Sequence, residues 1–189
     1  GLTSVISLTF IIERGWALRR GIILPTPLLD SLDHCHTRAD VNTVLRFAQQ
    51  HQNTPLARLT TTAIEHLEWA KADNVEALQT RARHEVSKME RGLIVLEIIT
   101  GIAPLLGLVG TVVGLIDIFS TMASGETEAT AFAQGISTAL WATLSGLSIA
   151  IPSLITWSIY NKRIETYGIE MEAQRDGFLR RHDPNRYGT

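Results

Sequence analysis

Two carboxylates stand where carboxylates are costly. Glu97 and Asp117 are the charged residues of the run 93–122, which otherwise consists mostly of Leu, Ile, Val, Gly and Ala. An ionisable group inside a membrane span is a functional candidate by default. The competing reading is a headgroup-level residue that snorkels or is hydrated, since Glu97 lies near one end of the run and Asp117 near the other. Thr100 and Thr111 in this run, and Thr143 in a second apolar run at 130–160, are polar groups of another kind. A hydroxyl both donates and accepts and does not titrate near neutral pH, so it can hold a water or touch an acid in either protonation state. The bland alternative is a hydroxyl that bonds back to the preceding turn and merely packs. Neither acid lies mid-span, where a proton carrier would sit.

The elements that must position these groups follow from length and periodicity. About 20 apolar helical residues cross a bilayer, so 93–122 and 130–160 each read as a transmembrane helix. At roughly 100° per residue, Thr100, Ala103, Pro104, Gly107, Gly110, Thr111 and Gly114 share one side of the first span. Ile98, Leu105, Leu108, Val109, Val112, Val113, Ile116 and Phe119 cover the other. The second span repeats the design with Gly135, Ala139, Ala142, Thr143, Gly146, Ala150 and Ser153 on one face. Gly110-x-x-x-Gly114 permits close approach of helix backbones. Neither small face carries large apolar groups, so a further helix from another subunit or another protein is expected there.

All 17 Lys and Arg fall in 13–92 and 161–189, while the link 123–129 carries Glu126 and Glu128 and no base. The positive-inside rule places the basic segments in the cytoplasm and the link outside. One cysteine, Cys35, excludes an internal disulfide and fits a reducing compartment. His34-Cys35-His36 is read as the end of a soluble helix, since a metal site needs three or four convergent ligands; no metal site and no cofactor is expected.

The start, 1–13, is apolar but too short to span, and Arg14, Trp16, Arg19 and Arg20 follow as membrane-edge anchors. It is read as the end of a first transmembrane helix truncated in this sequence, which puts the N-terminus outside and the C-terminus inside. Residues 14–92 form a cytoplasmic helical region, broken by Pro25 and Pro27. A short helix is expected from Asp40 to Gln52. Another starts with Thr54 as N-cap and Pro55 at the first helical position, with a stripe of Leu56, Leu59, Ala63 and Leu67. From Asp73 to Met122 the pattern predicts one long helix, with Pro104 kinking or loosening it. Residues 161–189 continue the last span as a mixed-charge helix that Asp183-Pro184-Asn185 ends.

No phosphate-binding loop, zinc-protease helix or nucleophile elbow is present, and the basic residues are not interleaved with aromatics as nucleic-acid binding requires. Enzymes are the least supported class. The stretch MERGLIVLEIITGIAPLLGLVGTVVGLIDIF, followed by GISTALWATLSGLSIAIPSLITWSIYNKR, resembles the MotA/TolQ/ExbB proton-channel family, most closely its ExbB/TolQ branch. The resemblance implies an all-α membrane protein with three transmembrane helices per subunit, assembled as a homo-pentameric ring around an ExbD/TolR-like single-span partner. That partner carries an intramembrane Asp, and a TonB-like protein is a further expected partner. It implies an inner-membrane motor that couples proton flow to outer-membrane transport or envelope work. Thr111 and Thr143 match the family's pore threonines, and Pro104 and Pro152 its prolines.

Thr138 stands where many ExbB and TolQ sequences carry Glu, and it can coordinate an ion or water, so proton and sodium both stay open. The ion path is thus expected to use Thr111, Thr143, Thr138, Thr100 and Glu97. Packing of the partner helix is expected to use Pro104, Gly107, Gly114, Ala139, Gly146, Ala150 and Pro152. A flagellar-type stator subunit and a non-conducting membrane scaffold are the alternatives. The charge distribution yields a first prediction. In intact cells an impermeant thiol reagent should label a cysteine placed at Ser124 and not one placed at Ser87. The reverse pattern would overturn the topology.

Overall fold

The computed structural model describes residues 2–35, 37–69, 71–123 and 129–182. Every regular element among them is a helix: α1 (Leu2–Ala17), α2 (Arg20–Ile23), α3 (Thr26–Asp33), α4 (Arg38–Gln50), α5 (Pro55–Glu65), α6 (Lys71–Arg91), α7 (Ile94–Ala123) and α8 (Ala129–Arg181). The chain divides into two compact units. One comprises Gly1–Arg14 with Gly92–Ile159, and the other Gly15–Arg91 with Tyr160–Thr189. Helix α8 contributes to both.

The first unit is built inside out relative to a water-soluble core. Many of its buried positions are small, among them Ala103, Gly107, Ala139, Gly146 and Ala150, while Leu105, Val109, Ile116, Leu140, Trp141 and Ile151 are all more than half exposed. Large side chains outside and small ones at the helix contact is the pattern of spans that face lipid. The helical stretches Ala72–Ala123 and Phe132–Arg181 are both long and apolar enough to cross a membrane.

Here the structure corrects one expectation. The small faces of the two spans do not wait for a further helix; they close on each other within the chain. A Cβ on Gly146 would lie 2.6 Å from the Ala103 carbonyl oxygen and 3.1 Å from the Gly107 Cα. A Cβ on Gly107 would lie 3.1 Å from the Thr143 Cα, and one on Gly114 3.0 Å from the Ala139 Cβ. Two glycine-rich faces need no third element to exclude space, because the backbones themselves become the packing surface. Ile99, Ala103 and Ala150 cluster at one end of the contact. Helix α1 joins it through a buried hydroxyl pair, Ser7 Oγ and Ser153 Oγ at 2.6 Å. Ser153 already donates to the Ile149 carbonyl at 2.7 Å, so Ser7 is the donor.

A second correction concerns the long helix. The run from Asp73 to Met122 is not continuous: α6 and α7 are separated by a two-residue turn at Gly92–Leu93. The Arg14 guanidinium occupies the space where a Gly92 side chain would be. Helical bonding resumes at once, with Glu97 N donating to Leu93 O at 3.0 Å, and α7 continues through Pro104.

The second unit packs like a soluble domain, with Leu28, Leu56, Leu78, Ile164, Met171 and Phe178 at 1 % exposure or less. Its helix α3 was not foreseen. Pro25 is its N-cap and Pro27 sits in its first turn, where a missing amide costs nothing; the two prolines begin a helix as well as end one. Thr37 and Asp40 form a capping box that starts α4 earlier than expected. Thr54 does cap α5, accepting from Ala57 N at 3.3 Å. That helix stops at Glu65, so Leu67 lies beyond its end. Gly168 and Gly177 do not interrupt α8. The ending proposed at Asp183, the link acids Glu126 and Glu128, and His36 lie outside the described residues.

Glu85, 1 % exposed, is a buried carboxylate of this unit. Arg58 Nη2 lies 2.5 Å from its Oε2, Arg81 Nη2 3.3 Å from its Oε1 and Lys88 Nζ 3.8 Å from the same oxygen. A carboxylate taken out of water needs such partners, since an unpaired buried charge costs several kcal/mol, on the order of 3–5.

The α7–α8 contact can be tested against an internal control. Gly146→Ala should destabilise the first unit by about 1–3 kcal/mol, because the new methyl meets backbone on both sides. Gly101→Ala, which meets nothing within 4 Å, should be neutral or slightly stabilising. Unfolding of the detergent-solubilised protein, followed by helix content on titration with a denaturing detergent, measures the difference.

Candidate functional site

The hydroxyls in the spans are already partly committed. Thr111 Oγ1 donates to the Leu108 carbonyl at 2.7 Å and Thr100 Oγ1 to the Glu97 carbonyl at 2.6 Å. Thr138 Oγ1 donates to the Gln134 carbonyl at 3.0 Å. Each hydroxyl therefore presents its oxygen lone pairs outward as an acceptor, and must rotate before it can donate to a carboxylate. Thr143 differs. Its Oγ1 reaches across the helix pair to the Gly107 carbonyl at 3.4 Å, a long bond by ordinary standards. That carbonyl is the one the α-helical pattern gives to the Thr111 amide. The Thr143 hydroxyl and, by that pattern, the Thr111 backbone amide thus share one backbone oxygen of the α7–α8 contact, while the Thr111 hydroxyl turns to Leu108; Gly107 and Gly146 let the backbones meet.

Glu97, Thr100, Pro104 and Thr111 lie on one flank of α7, next to the contact face, at roughly 100° per residue. Thr100, Pro104 and Thr111 are half-buried and Glu97 is exposed. Asp117 is exposed on the opposite flank, and its carbonyl accepts from Ser120 Oγ at 2.8 Å and Thr121 Oγ1 at 3.0 Å. Of the residues expected to pack a partner helix, Gly107, Gly114, Ala139, Gly146 and Ala150 are occupied by the neighbouring span of their own chain. Pro104 is half-buried and Pro152 exposed. The surfaces left open are the flanks of the pair, not its small faces.

Residue reasoning missed a polar row on α8. Gln134, Ser137, Thr138, Ser145 and Ser148 are all exposed and fall on one side of the helix. Ser145 Oγ and Ser148 Oγ donate to the Trp141 and Leu144 carbonyls, both at 2.8 Å. These internal bonds make an exposed serine tolerable in apolar surroundings. The signal was present in the spacing of the serines, but the small-residue face of the same helix drew the reading. The Ser7–Ser153 bond was also missed, since it joins residues 146 positions apart.

In the second unit Cys35 is fully buried, and its Sγ lies 3.5 Å from His182 Nε2. His182 Nδ1 is 3.0 Å from the Phe178 carbonyl, so Nδ1 carries the proton and Nε2 accepts from the thiol. No group of three or more His, Cys, Asp or Glu able to hold a metal occurs among the described residues.

The family model of the MotA/TolQ/ExbB proton channel family matches residues 51–173. An ExbB-like biopolymer transport protein of Synechocystis is 32% identical over 163 residues, covering 84% of this chain and 63% of that protein. An ExbB homologue of Methanothermobacter thermautotrophicus is 30% identical over 155 residues, covering 82% of this chain and 55% of its own length. The biopolymer transport protein ExbB of Salmonella typhimurium is 40% identical over 80 residues, 42% of this chain and 33% of that protein. The chain spans less than two thirds of the length of these relatives.

Cys35 and His182 lie outside the matched residues. Burial, and then the charge of Asp40, push the Cys35 thiol above its ordinary value, with Arg181 opposing. The thiolate is the nucleophile, so alkylation of Cys35 in the folded protein should be much slower than in denaturant, and should need a higher pH to set in. Equal alkylation rates in the two states would show the thiol to be exposed.

Proposed function

The chain belongs to the MotA/TolQ/ExbB proton channel family, and from that premise we propose that it is an ExbB/TolQ-like subunit of an ion-driven motor in the bacterial inner membrane. In this reading each subunit contributes three transmembrane helices, with its N-terminal end periplasmic and its C-terminal end cytoplasmic. Copies assemble as a ring, a pentamer by family resemblance, around an ExbD/TolR-like single-span protein with an intramembrane Asp. Proton flow through the ring moves that partner and so energises outer-membrane transport or envelope work, with a TonB-like protein as a further partner. Lipid surrounds the ring; nucleic acid plays no part.

The observation that supports the reading is the bond from the Thr143 hydroxyl across the helix pair to the Gly107 carbonyl at 3.4 Å, one turn of α7 from Thr111. In this reading the Thr143 and Thr111 hydroxyls serve the path beside the flank that carries Glu97, Thr100 and Pro104. The threonines do not titrate, so the proton resides on the partner's carboxylate, whose affinity for it burial raises. The hydroxyls accept from that carboxylic acid when it is protonated, and donate to the carboxylate after rotating. Glu97 hydrates the cytoplasmic end of the path. Thr138 is a third point where an ion or water can rest. With Gly107, Gly114, Ala139, Gly146 and Ala150 engaged inside the subunit, the partner helix meets the flank of the pair and Pro104, and the small residues serve it indirectly by placing the threonines.

Thr111→Val and Thr143→Val keep the shape and remove the hydroxyl. Each should lower partner-dependent transport in cells about tenfold, the scale of one buried hydrogen bond, at unchanged protein level and complex formation. The Ser variants should retain most activity, and Thr156→Val should have little effect. If both Val variants assemble and work normally, the threonines only pack and the chain is read instead as a scaffold.

A further inference from the structure

The second unit carries two exposed helix faces of opposite charge with matched spacing. On α6, Arg81, His84, Lys88 and Arg91 fall on one side, at three- and four-residue steps. On α8, Glu165, Ile169, Glu172 and Asp176 do the same. Lys88 lies seven residues after Arg81, and Glu172 seven after Glu165; both separations correspond to two helical turns, about 10.5 Å.

Neither face is fully neutralised by its own chain, although Asp176 Oδ1 is paired with Arg175 at 2.8 Å. Glu85 is one carboxylate shared by Arg58, Arg81 and Lys88, so positive charge is left over on the α6 side. Among the described residues Glu165 is paired with Lys162 alone, at 2.8 Å, with the two side chains 58% and 73% exposed. Ile169, at the centre of the acidic face, is 60% exposed, although it lies outside the apolar runs where lipid would cover it. The two faces do not meet within one chain. Val86 of α6 lies in van der Waals contact with the place where a Gly168 side chain would be, 3.4 Å away. Val86 is roughly half a turn round α6 from the basic face. Helix α6 thus turns its basic face away from the α8 of its own chain.

We propose that these faces are the two halves of one interface between copies of this chain: the basic face of α6 in one copy docks on the acidic face of α8 in the next. This rests on the reading that copies stand side by side in a membrane. Copies inserted in the same sense have α6 leading into an apolar span and α8 leading out of one, so the docked helices run antiparallel. Antiparallel register then sets Lys88 against Glu165 and Arg81 against Glu172, with Ile169 opposite His84 and sheltered by the stems of the neighbouring bases. Two different patches meeting head to tail form a heterologous contact, which closes into a ring when the rotation between neighbours permits. Exposed ion pairs contribute little affinity singly. Their effect is on register and choice of neighbour, while the membrane keeps the copies at high local concentration.

The test uses the full chain in membranes. Two versions are co-expressed, one with Lys88→Cys and one with Glu165→Cys; the native Cys35, being buried, stays silent. Oxidation should link the two versions to each other, and neither single-cysteine version alone should give linked dimers. Separately, Glu165→Lys should lower the oligomeric fraction about threefold at low salt, less at high salt. Lys88→Glu should act alike, since Arg58 and Arg81 still hold Glu85, and the double exchange in one chain should restore the wild-type level. Native mass spectrometry in mild detergent reads the fraction. Oligomers that persist through both single reversals, without the mixed crosslink, overturn this interface and leave the motor reading standing. A wild-type chain that is monomeric in the membrane overturns both.

Discussion

The backbone contact between α7 and α8 is the constraint on which the membrane part depends. Lipid is as apolar as a leucine side chain, so nothing drives two apolar helices together by excluding water. What remains is dispersion between closely fitted surfaces, and the fit here is glycine on backbone, Gly146 against Ala103 and Gly107. Once the small faces are spent on each other, most of the large side chains have the outside left to occupy, and Leu105, Ile116, Leu140 and Trp141 are exposed there. The same closeness brings the Thr143 hydroxyl within reach of the Gly107 carbonyl. A methyl group at either glycine would separate the helices and the two threonines with them.

The second unit obeys the opposite rule. Its centre is made of leucines, a methionine and a phenylalanine, and its buried carboxylate is held by three cations. Water gives such a core its driving force, and water also keeps its surplus charge at the surface. Helix α8 passes through both regimes without a break, and its side chains change accordingly. Small residues and serines give way to Glu165, Glu172 and Asp176 on one side and to Ile164, Met171 and Phe178 on the other.

Membership in a proton channel family and the intrasubunit geometry constrain each other. The glycine faces are filled within the chain. The hydroxyls of Thr100 and Thr111 and the Glu97 carboxylate lie on the flank instead.

The sequence by itself determined the helical class, the two apolar spans, the small faces and the Thr54 cap, because each rests on local composition or on a period within one helix. It also carried the family motif. It did not determine what the small faces touch. Periodicity states which residues share a side, and the same glycines suit a sister span, a neighbour or a guest equally well. Only the tertiary structure decided in favour of the sister span, by bringing Gly107 and Gly146 together across 39 positions of sequence. The Ser7–Ser153 bond, the Cys35–His182 contact and the break at Gly92 under Arg14 were decided the same way. Each joins residues that no local pattern relates, and each takes its energy from a surface that exists only when both partners are in place.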